Sequence, residues 1–177
     1  MIGAPLYAPP PRWLVVARQY EGLAEVPGPL SNERIKSMWL SLKNGAWYWS
    51  HYGSNDSALP WCGAAMAYVM RSCGIEYPSL YASARSWLDW GQEFSSPCHG
   101  MVVVFGRKGG AHVAIVDGVN EHGMLMCWGA NQGDRVSLAA FNRKRALGFR
   151  WPPGQPCPIN SYLPVLRSDA PTSTNES

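Results

Sequence analysis

The chain has 177 residues, 46% hydrophobic and 15% charged, with a formal net charge of +3. That length fits one domain with a sizeable core, and its weak, scattered basic charge carries no nucleic-acid-binding signature. Five cysteines without a CxxC pair argue against a full disulfide framework and against a zinc site.

Residues 1–11 read as a proline-rich, extended leader without the basic and apolar regions of a signal peptide. No run reaches membrane-spanning length. From Pro11 the spacing predicts a helix, since Trp13, Val16, Ala17 and Tyr20 fall at i, i+3, i+4 and i+7 and Gly22 stops it. Ser31 or Asn32 caps a second helix striped by Ile35, Met38, Trp39 and Leu42, which Asn44-Gly45 ends. Residues 45–60 are aromatic, then polar, and are expected to be a loop. A third helix runs from Cys62 to Cys73 with Gly74 as its breaker, and a shorter one from Ala84 to Trp90.

The pattern then changes to strands. Met101–Phe105 is a continuous apolar run, and His112–Val116 follows the Gly109-Gly110 turn. Asp117-Gly118 to Gly123 reads as a hairpin connection, Met124–Trp128 as the third strand, and 136–138 and 147–151 as the fourth and fifth. Helices first and about five antiparallel strands second define an α+β fold. The expected domain covers 12–153, followed by a flexible tail over 154–177.

Cys62 follows a Leu-Pro-Trp loop and opens a small-residue helix, Gly-Ala-Ala-Met. A thiol there meets the unpaired N–H groups and positive end of the helix, which favour the thiolate. The other four cysteines lack this setting. About fifty residues on, His112 opens an apolar strand after two glycines. A cysteine on a helix start and a histidine on a strand start supply a nucleophile and a base.

The base needs an acceptor on its second ring nitrogen. The following strand ends in Trp128-Gly129-Ala130-Asn131-Gln132-Gly133-Asp134, and antiparallel pairing brings that end back toward His112. Asn131 is the expected orienting residue, its carbonyl accepting Nδ1–H, with Asp134, Asp117 and Gln132 as alternatives. The Cys62 N–H would form half of an oxyanion hole, with Tyr48, Tyr52 or Asn55 as candidate second donors. Nine tryptophans and eight tyrosines suit a groove for sugars or peptides. Trp49, Tyr52, Trp61 and Gln132 are the substrate-binding candidates.

Taken in order, Pro-Trp-Cys-Gly-Ala-Ala at 60–65, Gly-Gly-Ala-His-Val-Ala-Ile-Val at 109–116, Gly-Ala-Asn-Gln-Gly-Asp at 129–134 and Leu-Gly-Phe-Arg-Trp-Pro at 147–152 resemble the NlpC-type superfamily of papain-like cell-wall hydrolases. The likeness is greatest to a phage- and prophage-associated branch near the CHAP amidases. That branch has a Pro-Gly-Pro-x-Ser-Asn segment, matched by residues 27–32. The resemblance covers about Arg12 to Pro152. It implies a papain-like fold and cleavage of a peptidoglycan amide bond, as amidase or endopeptidase, without metal or cofactor. Cys62 maps onto the family nucleophile and His112 onto its base. Asn131 matches a position where CHAP-like members carry a polar residue and many NlpC relatives a histidine.

The resemblance further implies a compact, monomeric, endolysin-like enzyme, made in the cytoplasm and acting in the periplasm or wall after release with a holin. An antibacterial effector injected by a secretion apparatus is the alternative. A wall-binding or phage structural module that kept the fold without catalysis, and a plain carbohydrate-binding domain, are the non-enzymatic alternatives.

Overall fold

The computed structural model describes residues 9–157, 162–167 and 171–173. Most of the expected 1–11 leader, and parts of the expected 154–177 tail, lie outside the described residues.

Helix α1 spans Arg12–Arg18 and buries Trp13, Leu14 and Ala17. Its entry is Pro11, whose fixed φ suits a helix start. Helix α2 spans Glu33–Leu40. The Asn32 side chain caps it, accepting from the Arg34 N–H at 2.9 Å. Residues 45–60 are not all loop, because Gly45–His51 form helix α3. Gly45 is required at its start, since a Cβ there would sit 1.6 Å from the Trp39 carbonyl oxygen. Helix α4 spans Cys62–Ser72 and ends at Gly74, which adopts φ +72°. Ala84–Asp89 form a 3-10 turn rather than an α-helix.

Six strands follow: β1 Gln92–Phe94, β2 Val102–Arg107, β3 Gly110–Val119, β4 Leu125–Gly129, β5 Ser137–Phe141 and β6 Ala146–Trp151. They form one sheet in the order β1-β6-β2-β3-β4-β5, with every neighbouring pair antiparallel. The architecture is therefore α+β. The expected count of about five strands lacked β1, a short edge strand that exists only by pairing with β6.

Strand β3 also runs further than its apolar stretch. Asp117-Gly118 is not a turn. Asp117 is the extra residue of a bulge opposite β4, and the reversal comes at 120–123. The bulge turns the Asp117 carboxylate to α1, where it accepts from Arg18 Nε at 3.1 Å and from Arg18 Nη2, and it lies 3.2 Å from His99 Nε2.

Parts of the segment expected as a flexible tail lie against the sheet. Val165 bridges Val119 and Thr172 bridges Ala140, both in parallel. Gly118 makes the first contact possible, because a Cβ there would lie 2.3 Å from the Pro164 carbonyl oxygen.

The core joins α4 to the sheet. Ala64, Ala67, Val69 and Met70 of α4 are buried together with Val102–Phe105 of β2 and Val113–Val116 of β3. Helices α1 and α2 pack on α4, and α3 packs on α2. Each fully buried Val, Leu or Met contributes about 1.5–3 kcal/mol. That packing fixes the start of α4 against β3. Among the described residues, no helix is long and apolar enough to cross a membrane.

Candidate active site

Cys62 is the first residue of α4. Trp61 precedes it and offers no side-chain cap, so the first-turn N–H groups face no capping acceptor. Gly63 lets this helix start approach the 81–82 backbone, because a Cβ there would lie 2.1 Å from the Tyr81 carbonyl oxygen. The Tyr81 carbonyl is itself held by the Trp87 indole N–H at 3.1 Å. The helix end carrying the thiol is thus clamped between the 3-10 region and β3.

His112 lies in β3, opposite Phe105 of β2. Its ring stacks on Phe141 of β5 at 5.7 Å and 8° between planes, and Phe141 stacks in turn on Phe105 at 4.3 Å. These apolar faces fix the ring plane and leave only its nitrogens for polar contacts. Nε2 lies 3.0 Å from Gln132 Oε1. Gln132 Nε2 donates to the Ser137 carbonyl at 2.7 Å, which sets which end of the amide faces the imidazole. Since Oε1 can only accept, Nε2 of His112 carries the proton and Nδ1 is the nitrogen left for Cys62.

Burial alone would raise the Cys62 thiol pKa, yet it lies below its ordinary value. A hydrogen bond and charge from His112 oppose the burial, followed by the Val113 N–H and the charge of Arg107. The contrast with the other cysteines is sharp. Burial raises Cys73, holds Cys98 at about 11 and pushes Cys127 well above the ordinary range. All five cysteines are free. Cys62 keeps 6% of its surface and His112 1%, so the pair is screened from bulk water.

The structure brings Cys62 and His112 together and sets Gln132, one of the alternatives, rather than Asn131 against the His112 ring. The contact is also on Nε2, not on the expected Nδ1. Asn131 takes φ +59°, a left-handed turn position, and is buried with its Oδ1 unpartnered. That turn delivers Gln132, one residue later, to the imidazole. Gly129 completes the arrangement, because a Cβ there would lie 2.3 Å from Gln132 Oε1 and 3.0 Å from His112 Nε2.

The other substrate-binding candidates divide by exposure. Trp49 and Trp61 are core side chains and present no open face. The Trp61 indole N–H donates to Glu25 Oε1 at 2.7 Å. Tyr52 is 50% exposed, and Trp47, 52% exposed, joins it in an aromatic ladder along α3. Trp47 stacks on His51 at 4.6 Å, Tyr48 stacks on Tyr52 at 6.2 Å, and Trp47, Tyr48 and Asn44 line an open hollow of about 400 Å³. The sequence pointed to the aromatic segment but not to the helix that orders it. Among the described residues there is no cluster of three or more metal-ligating side chains.

No family model matches the chain. No curated protein matches it either.

Proposed function

We propose that the chain is a papain-like thiol hydrolase that cleaves an amide bond of peptidoglycan, with Cys62 as nucleophile, His112 as acid and base, and Gln132 as the residue that positions His112. One observation carries this reading: a buried cysteine whose thiol pKa is nevertheless depressed, by a histidine whose other nitrogen is held by an anchored amide.

The reaction runs in two halves. The Cys62 thiolate attacks the carbonyl carbon and forms a C–S bond. Charge on the oxygen is met by N–H groups of the uncapped α4 start. The tetrahedral adduct collapses, the C–N bond breaks, and the amine leaves with a proton from His112 Nδ1. Water then adds to the thioester while His112 takes its proton. The C–S bond breaks, the acid is released, and the thiolate–imidazolium pair returns. Gln132 holds the ring through both halves by accepting from Nε2 throughout.

The peptidoglycan assignment rests on the motif resemblance and on the exposed rings of α3, whose faces suit the apolar faces of sugars. A compact lysin released with a holin, or an effector delivered by a secretion apparatus, fits this reading.

Digestion of purified sacculi followed by mass spectrometry of the soluble fragments tests it. Wild-type protein should release fragments with one new amine and one new carboxylate per cut. Cys62→Ala and His112→Ala should release none while remaining folded. Lysis by folded Cys62→Ala would overturn the mechanism. Sugar binding by wild-type protein without bond cleavage would favour a carbohydrate-binding module.

A further inference from the structure

Besides Cys62, two cysteines meet at one corner of the sheet. Val102 of β2 pairs with Arg150 of β6, so the chain entering β2 and the chain leaving β6 run out of the sheet at the same end. Cys98 lies on the first and Cys157 on the second. Trp13 ties the two together. Its indole N–H donates to the Gly100 carbonyl at 2.7 Å, and its ring packs edge-on against Trp151 at 5.0 Å. The Trp151 indole N–H in turn donates to the Pro156 carbonyl at 3.0 Å, which folds the chain after β6 back onto its last residue. Further on, the Tyr162 carbonyl accepts from the His99 N–H at 2.9 Å, so the segment after Cys157 returns to the neighbour of Cys98.

The two thiols have complementary settings. Cys98 is buried, while Cys157 is exposed and its Sγ donates to Gln92 Oε1 at 3.0 Å. Burial pushes the Cys98 thiol up to about 11, and the nearby Cys157 sulfur adds to the push. A thiol is a weak donor, so the contact with Gln92 is easily exchanged. An exposed cysteine beside a buried one is the arrangement in which the first reacts with a disulfide from solution and the second resolves the adduct.

We infer that Cys98 and Cys157 are a redox pair that closes into an intramolecular disulfide by exchange with a small-molecule disulfide such as oxidised glutathione. The inference does not depend on the hydrolase reading. The Cys157 thiolate attacks one sulfur of the glutathione disulfide, whose S–S bond breaks, and one glutathione thiolate leaves. The Cys98 thiolate then attacks the Cys157 sulfur of the mixed disulfide and expels the second glutathione. The two protein thiols lose two electrons to the glutathione disulfide, and their two protons end on the two glutathione thiols. The bridge fastens the chain after β6 to the chain before β2. The closed ring contains all of β2 to β6, with His112 and Gln132, and leaves Cys62 outside. It forms in an oxidising compartment and opens in a reducing one.

The test is peptide mapping of full-length Cys62→Ala protein, which lacks the other reactive thiol. The protein is incubated with oxidised glutathione, its remaining thiols are blocked, and it is digested without reductant. The expected product is one cross-linked pair of peptides, containing Cys98 and Cys157, which dithiothreitol separates. The bridged protein should melt about 5 °C or more above the reduced one. Cys98→Ser should stop at a glutathione adduct on Cys157, and Cys157→Ser should form neither bridge nor adduct on Cys98. Thiols that all stay free, a lasting glutathione adduct on Cys157 with Cys98 intact, a bridge to any other cysteine, or a bridged protein that melts no higher would each overturn the inference. The map of the Cys62→Ala protein decides the matter even if Cys98→Ser does not fold.

Discussion

Gln132 Oε1 lies 3.0 Å from His112 Nε2, and the same amide donates to the Ser137 carbonyl at 2.7 Å. Anchored at both ends, the amide fixes the imidazole tautomer and plane. Gln132→Ala should therefore reduce the cleavage rate by about 10²-fold or more, within the range of general acid–base contributions. Asn131→Gly keeps the left-handed turn and should retain nearly full activity. The initial rate of sacculus solubilisation for the two variants decides between the neighbouring residues. A severe loss in Asn131→Gly with normal activity in Gln132→Ala would reverse their roles.

Gly129 tests the same contact from below. A methyl at this position would lie 2.3 Å from Gln132 Oε1 and 3.0 Å from His112 Nε2. Gly129→Ala should destabilise the fold by about 1–3 kcal/mol, as overpacking does, and should separate Gln132 from His112. Activity should fall far more than the small loss of folded protein explains. Chemical denaturation alongside single-time-point digestion separates the two effects. Wild-type activity in this variant would mean that the Gln132 contact is dispensable.

The legible parts of the fold were those with a period or a run. The apolar stretches of β2 and β3, and the aromatic-to-small switch at Trp61-Cys62-Gly63, carried their structure in local sequence. Helix α3 did not, because Trp47-Tyr48-Trp49 is apolar on every side and shows no helical stripe. Strand β1 has two exposed polar residues of three, and only pairing with β6 makes it a strand. That Gln132 and not Asn131 meets the His112 ring has a conformational origin. Asparagine is among the few residues other than glycine that enter the left-handed region, so an Asn before Gln-Gly marks a turn, and the following side chain is the one delivered.

Asp117 links α1 to the sheet and predicts acid sensitivity. Burial raises its pKa, but hydrogen bonds from His99 and Arg18, with their charges, bring it below the ordinary carboxylate value. With a depressed folded pKa, its stabilisation is present above the unfolded value of about 3.9 and is lost as pH falls through the folded value. Arg18 remains 39% exposed, so solvent screening limits the contribution. Asp117→Asn should lower stability at pH 7 by about 1–3 kcal/mol and flatten the acid limb of the melting-temperature profile. An unchanged acid limb would show that another carboxylate controls it.

The Cys62 thiol gives the most direct chemical readout. Its folded pKa lies below the ordinary thiol value of about 8.5, so ionisation is easier in the folded chain than in the unfolded one. The linked stabilisation is complete above that unfolded value and disappears as pH falls through the folded value. Cys127, raised by burial, has the opposite sign: its contribution is full below the unfolded value and is lost at high pH. At pH 7, iodoacetamide should therefore label Cys62 ahead of Cys73, Cys98 and Cys127, despite the small surface it presents. Peptide mapping after timed quenching reads the order. His112→Ala removes the largest opposing influence and should move the midpoint of Cys62 labelling to higher pH. Arg107→Gln should move it in the same direction by a smaller amount, since its charge ranks last among the influences on the thiol. Cys62 left unlabelled at pH 7 while buried Cys127 reacts would remove the basis for a nucleophile at the start of α4.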